Sequence, residues 1–162
     1  MPVTRRFRKG DADSEALYSP CGAYRYLLTR RWGEGGLLLY VMLNPSTATE
    51  ERNDPTIERC ERRARMLRHG GLAVANLFGF RATYPADLRA APDPVGPEND
   101  AVLMQAAAGA GTILCGWGTH GALMGRGLLV FFRGVLVQRT LGLLTRLPAS
   151  LLVPAVLVPA LV

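Results

Sequence analysis

The chain of 162 residues predicts an α/β fold: a three-layer α/β/α domain around a central, mostly parallel sheet. Three observations predict it. Leu37 to Leu43, Leu72 to Leu77 and Gly111 to Trp117 are nearly continuous apolar runs, as strands buried on both faces require. Between the first two runs, Ile57, Cys60, Ala64 and Leu67 recur at helical spacing. Strands that alternate with helices imply a parallel sheet joined by crossovers. This length suffices for one domain with a substantial core.

The elements follow in order. The polar residues 1–22 are expected as a loose leader, residues 23–146 as a single α/β domain and residues 147–162 as an apolar, proline-broken tail. Tyr24 to Arg31 has strand character, and Gly33 to Gly36 is a turn. After the run Leu37 to Leu43, residues 44–53 form a polar loop. A helix spans Pro55 to His69, with Arg59, Arg62, Arg63 and Arg68 largely off its apolar stripe, and Gly70-Gly71 ends it. In residues 79–97, Pro85, Pro92, Pro94 and Pro97 argue against regular structure. Pro97-Glu98-Asn99-Asp100 opens the next helix, with acidic residues in its first turn. A further helix is expected from His120 to about Phe132, and a further strand from Val135 to Leu141. No internal repeat is visible. After Asp100 there is no acidic residue, and after Arg146 no charge.

Apolar residues make up 49% and charged residues 20%, ordinary for a globular protein. The net charge of +6 comes from eighteen arginines and one lysine, Lys9. Arginine suits phosphate and stacked bases, because its flat fork binds bidentately. A GC-rich genome produces the same bias. The balance therefore admits a nucleic-acid or nucleotide partner without requiring one. Cys21, Cys60 and Cys115 are widely spaced, with no metal-site spacing, and are expected as reduced thiols in a cytoplasmic protein. Neither a metal nor a cofactor is expected. The uncharged run Ala101 to Gly125 contains Gln105, His120 and six glycines, so it reads as a helix and a strand rather than a membrane span.

Two apolar runs end abruptly in asparagine, at Asn44 and Asn76. The carboxyl ends of strands are where open α/β sheets bind ligands. An asparagine there offers one acceptor and one amide donor, suited to a planar heterocycle or to placing one water. Pro45 and Ser46 follow Asn44 into the loop. Asp54 is the nearest carboxylate for general-base work, and it is also the natural N-cap of the helix starting at Pro55, the leading reading of the two. Phe78 and Phe80 offer stacking surfaces, one of them expected in the core. Arg81 leaves the same strand end and suits phosphate or a surface ion pair. His120 sits where a strand turns into a helix and suits an anion, an acid role or a helix cap. Ser46 and Thr47 have no neighbouring His or Lys to activate them as nucleophiles.

Six motifs occur in order: RYLLTRRW (25–32), LNPSTA (43–48), NDPTIERC (53–60), NLFGFRAT (76–83), DPVGPEND (93–100) and GWGTHG (116–121). Together they resemble a bacterial and phage family of uncharacterised proteins, domain-of-unknown-function family 1643, over roughly residues 24–126. That family more weakly resembles the uracil-DNA glycosylase superfamily. The resemblance implies a uracil-DNA-glycosylase-like fold and a hydrolase acting on a nucleobase or modified nucleic acid, or else a non-catalytic nucleotide-binding domain. It implies that Asn44 places the attacking water, as in the Gly-x-Asn-Pro motif of one branch, and that Asn76 reads the base edge. A His-Pro motif near the C-terminus is expected; Arg146-Leu147-Pro148 stands there instead.

Overall fold

The computed structural model describes residues 1–118, 122, 123, 125 and 126. Nine elements follow along the chain: β1 (Val3–Lys9), β2 (Ala12–Tyr18), β3 (Arg25–Arg31), β4 (Leu37–Met42), α1 (Pro55–Met66), β5 (Gly71–Asn76), α2 (Pro85–Ala90), α3 (Asn99–Gly109) and β6 (Thr112–Cys115). They build one six-stranded sheet in the order β1-β2-β3-β5-β4-β6.

The first correction concerns residues 1–22, which are not a loose leader. They form the β1–β2 hairpin, and β2 continues the sheet by pairing antiparallel with β3. The turn is the two residues between Lys9 and Ala12, with Gly10 at φ +60°, the first turn position where hairpins favour glycine. The hairpin is cryptic in sequence because its inward positions are Ala12, Ser14, Ala16 and Tyr18, all buried but mostly small or polar. Its outward face is tied by the cross-strand pairs Arg6–Glu15 and Arg8–Asp13.

The second correction follows from the first. The sheet is mixed, and three of its five pairings are antiparallel: β1–β2, β2–β3 and β3–β5. Only β4–β5 and β4–β6 are parallel. The expected mostly parallel sheet is therefore confined to β5-β4-β6.

The interiors on the two faces of that sheet are distinct. Leu38, Tyr40, Leu72 and Val74 meet Ile57, Cys60 and Ala64 of α1 on one face. Leu39, Val41, Ala73 and Ala75 meet Leu88 of α2 and Leu103 and Ala107 of α3 on the other. This double burial explains the unbroken apolar runs of β4 and β5. Asp54 caps α1 and Pro55 opens it. The helix closes before the expected His69, because Arg68 takes the left-handed conformation at φ +59°. A third correction is α2: Pro85 sits at a helical N-terminal position, where proline is tolerated, so the proline-rich segment contains one short helix.

One topological consequence positions the site. From β4 the chain runs through α1 to β5 on one side, then through α3 to β6 on the other side of β4. The two connections leave in opposite directions and on opposite faces. The carboxyl ends of β4 and β6 therefore form a topological switch point, the place where open α/β sheets carry their ligand sites. The expected helix from His120, the strand Val135 to Leu141 and the tail lie outside the described residues.

Candidate functional site

The loop leaving β4 starts at this switch point. Beyond Met42 the backbone still follows β5, with Leu77 N–H donating to Met42 C=O at 2.9 Å and Phe78 N–H to Leu43 C=O at 3.0 Å. At Asn44 the two chains remain fastened. Its Nδ2 donates to Ala82 C=O at 2.7 Å and to Pro45 C=O at 3.0 Å. Ala82 N–H also donates to Pro45 C=O, at 3.0 Å. Both amide hydrogens are thus spent on orientation, while Oδ1 accepts nothing from the described residues. The half-buried side chain is a fixed acceptor at the exit of β4.

Ser46 lies beside Thr83, hydroxyl to hydroxyl at 3.5 Å. Pro45 is buried. Its carbonyl accepts from Asn44 and Ala82, so it helps position Asn44. On the opposite flank, β6 continues into Gly116, whose N–H donates to Val41 C=O at 2.8 Å, and then Trp117 and Gly118. His120 lies outside the described residues.

Asn76, the last residue of β5, is 1% exposed. Strand alternation turns it to the face of Leu72 and Val74, beneath the loop from β4. Its backbone carbonyl accepts Nδ2 of Asn99, the first residue of α3, at 3.0 Å. Its own Nδ2 is buried with no acceptor. A buried amide donor left without a partner costs about 1–3 kcal/mol, so this one is a mark worth reading.

Two expected site residues are elsewhere. Phe78 is fully buried in the core on the α2–α3 face and offers no stacking surface. Asp54 Oδ1 accepts Thr56 N–H at 3.0 Å and Ile57 N–H at 2.9 Å, so its carboxylate is the N-cap of α1 rather than a base poised at Asn44. Arg81 does leave the β5 end, where its guanidinium lies 5.6 Å from the centre of the Tyr18 ring.

Sequence reasoning missed the residues that hold the β4–α1 loop. Arg25, 2% exposed, donates through Nη1 to Ala48 C=O. Arg30, fully buried, donates to Thr49 C=O at 2.6 Å, Asn53 Oδ1 at 3.1 Å, Ser14 Oγ at 2.6 Å and Thr29 C=O at 3.1 Å. Ser14 Oγ also donates to Glu50 C=O, and Tyr18 donates to the Glu50 carboxylate at 2.8 Å. Burial pushes Arg25 down to about 10, because desolvation disfavours its charge. The signal for Arg30 was present: it shares parity with the apolar Leu28. Arg25 has no such signal. A bulge between Leu17 and Tyr18 in the β2–β3 pairing shifts the register and sets Arg25 opposite Tyr18.

A concavity of about 560 Å³ lies away from the strand ends, over the outward face of β1–β3. Its charges are the pairs Arg6–Glu15 and Arg8–Asp13 together with Arg31, which bonds Gly35 C=O. Among the described residues there is no group of three or more His, Cys, Asp or Glu able to hold a metal, and no helix long and apolar enough to cross a membrane.

A family model described as "Protein of unknown function (DUF1643)" matches residues 25–134. No curated protein and no solved structure matches the chain. The match begins at the first residue of β3, so the β1–β2 hairpin lies outside it.

Proposed function

The chain belongs to this family of unknown function, and from that premise we propose a glycosylase-like hydrolase acting on a nucleobase or modified nucleic acid at the exit of β4. The observation that carries the reading is Asn44. Its amide is locked by two carbonyls, and its Oδ1 accepts nothing from the described residues. A carbonyl oxygen can hold a water but cannot take its proton. That suffices where the departing base leaves a cationic, oxocarbenium-like sugar, since such a centre accepts a weakly activated water. Asn76 supports the reading through its unpartnered Nδ2, which a base carbonyl would satisfy. The three free thiols suit the cytoplasmic setting this activity assumes.

The test is release of free base by the full chain from single- and double-stranded oligonucleotides bearing uracil, hypoxanthine or oxidised guanine. Asn44→Ala is expected to slow release about a hundredfold. No release from any of these substrates sinks the hydrolase.

A second reading, a nucleotide- or nucleic-acid-binding domain without turnover, is favoured by one observation: Asp54, the carboxylate that sequence offered as a base, is occupied as a helix cap. Salt-sensitive oligonucleotide binding without base release would select it.

A further inference from the structure

We infer that Arg81 and Arg5 form a phosphate subsite at the Tyr18 ring, backed by the buried Arg25, so that the ligand of this region is a phosphorylated one, a nucleotide or a nucleic-acid strand. The inference deepens the base-site reading and rests on it. Two guanidinium groups lie over one ring, and a third arginine sits opposite it in the sheet. Arg5 of β1 and Arg81 after β5 lie 5.0 and 5.6 Å from the Tyr18 ring centre, and Arg25 of β3 is the cross-strand partner of Tyr18. None of the three has an ion pair among the described residues. The Glu50 carboxylate accepts from the Tyr18 hydroxyl and keeps its charge, but it forms no ion pair with any of the three. The sequence beyond Asp100 contains no Asp or Glu to neutralise them.

The donors are also unspent. Nε of Arg25 and Nε of Arg81 are buried without acceptors. Among the described residues Arg25 uses only Nη1, on Ala48 C=O, and Arg81 donates only to Gly22 C=O, at 3.4 Å. Arg30 also has a buried Nε without an acceptor, but its two Nη atoms make four hydrogen bonds to protein acceptors, which makes it a structural clamp. Asp54 acts on Arg25 only at a distance, without an ion pair, and a phosphate offers both a direct charge and oxygens spaced for a guanidinium fork. The link to the proposed chemistry is through the backbone: Arg81 precedes Ala82, whose carbonyl holds the Asn44 amide at 2.7 Å.

The experiment titrates the full chain with inorganic phosphate, a deoxynucleoside monophosphate, the same deoxynucleoside without phosphate, and a labelled single-stranded oligonucleotide. The monophosphate is expected to bind at least about tenfold tighter than the nucleoside. Arg81→Gln and Arg5→Gln should each weaken every phosphate-bearing probe at least about fivefold, whereas Arg62→Gln, on the exposed face of α1, leaves the monophosphate unchanged. Buried Arg25 is left intact so that folding is preserved. An oligonucleotide that binds tighter than the monophosphate identifies a strand as the ligand; equal binding identifies a nucleotide. Equal affinity for nucleoside and monophosphate, or unaltered binding in both arginine variants, overturns the subsite. Base release is read in parallel. Arginine-dependent phosphate binding with no base release keeps the subsite and removes the hydrolase; base release that neither variant changes keeps the hydrolase and removes the subsite.

Discussion

The two halves of the sheet are stabilised by different means. In β5-β4-β6, helices cover both faces, and inward positions are mostly Leu, Val and Ala, with Tyr40 among them. In β1-β2-β3 the inward positions include Ser14, Arg25 and Arg30, all buried, and the packing is a polar network closed on the β4–α1 loop. The first half would hold its shape by apolar burial alone. The second is a scaffold of hydrogen bonds, and it reaches across to fix the loop that carries Asn44 and Ser46. The difference teaches that this site depends on the hairpin half for its walls and on the crossover half for its floor.

The join between the halves is the place to break that relation. β5 pairs antiparallel with β3 and parallel with β4, and Gly71 faces both Arg31 and Leu37. A Cβ at Gly71 would overlap Arg30 C=O and come within 2.7 Å of Leu37 Cδ2. Gly71→Ala is therefore expected to be the most damaging change, costing more than about 4 kcal/mol; urea denaturation measures it, and a loss under about 1 kcal/mol would mean the halves are loosely joined.

Next comes the clamp. Arg30→Ala deletes four hydrogen bonds and leaves Thr49 C=O and Asn53 without their donor. The expected cost is about 3 kcal/mol. Leu39→Ala, which removes a fully buried side chain from the crossover half, should cost a comparable amount, about 2–5 kcal/mol. The contrast appears in proteolysis: Arg30→Ala should open cleavage within residues 45–53, and Leu39→Ala should not. Equal patterns in both variants would remove the distinction.

Alkaline titration sharpens the contrast from the other side. Cys60 of α1 and Cys115 of β6 belong to the crossover half, and burial pushes both thiols up to about 11. The folded values lie above the unfolded value of about 8.5. The unfolded chain thus loses these protons first, and the stabilisation is full below that pH and lost as pH rises towards 11. The expected fall is on the order of 2 kcal/mol per thiol. Denaturation curves between pH 8 and 11 check this, and Cys60→Ala and Cys115→Ala should each flatten the slope.

The smallest effect is expected at the edge of the site. Asp54→Ala removes the N-cap of α1 and should cost about 1 kcal/mol while leaving base release unchanged. A hundredfold loss of release without a change in fold would return Asp54 to the role of base.

Much of the crossover half was legible because double burial writes itself as apolar runs. The expected Leu37 to Leu43 is observed as Leu37–Met42, and the expected Leu72 to Leu77 as Gly71–Asn76. Asp54-Pro55 announced the start of α1 by cap chemistry that acts within one turn. The hairpin was illegible because its inward residues are small, polar or cationic, and only partners distant in sequence make them inward at all. At the site, Asn44 could be placed at a strand exit from sequence. The locking of its amide by Ala82, thirty-eight residues on, could not.

The sequence by itself determined family membership, the apolar strands, the helix starts and the asparagines at two strand ends, since these are local patterns of burial and capping. Only the tertiary structure decided that residues 3–18 extend the sheet, that most pairings are antiparallel and that Phe78 is core. It also decided that Arg5 and Arg81 lie over the Tyr18 ring with buried Arg25 opposite it in the sheet, none of them in an ion pair among the described residues. Pairing direction, register and the meeting of charges depend on contacts between segments far apart in the chain, and no local pattern encodes them.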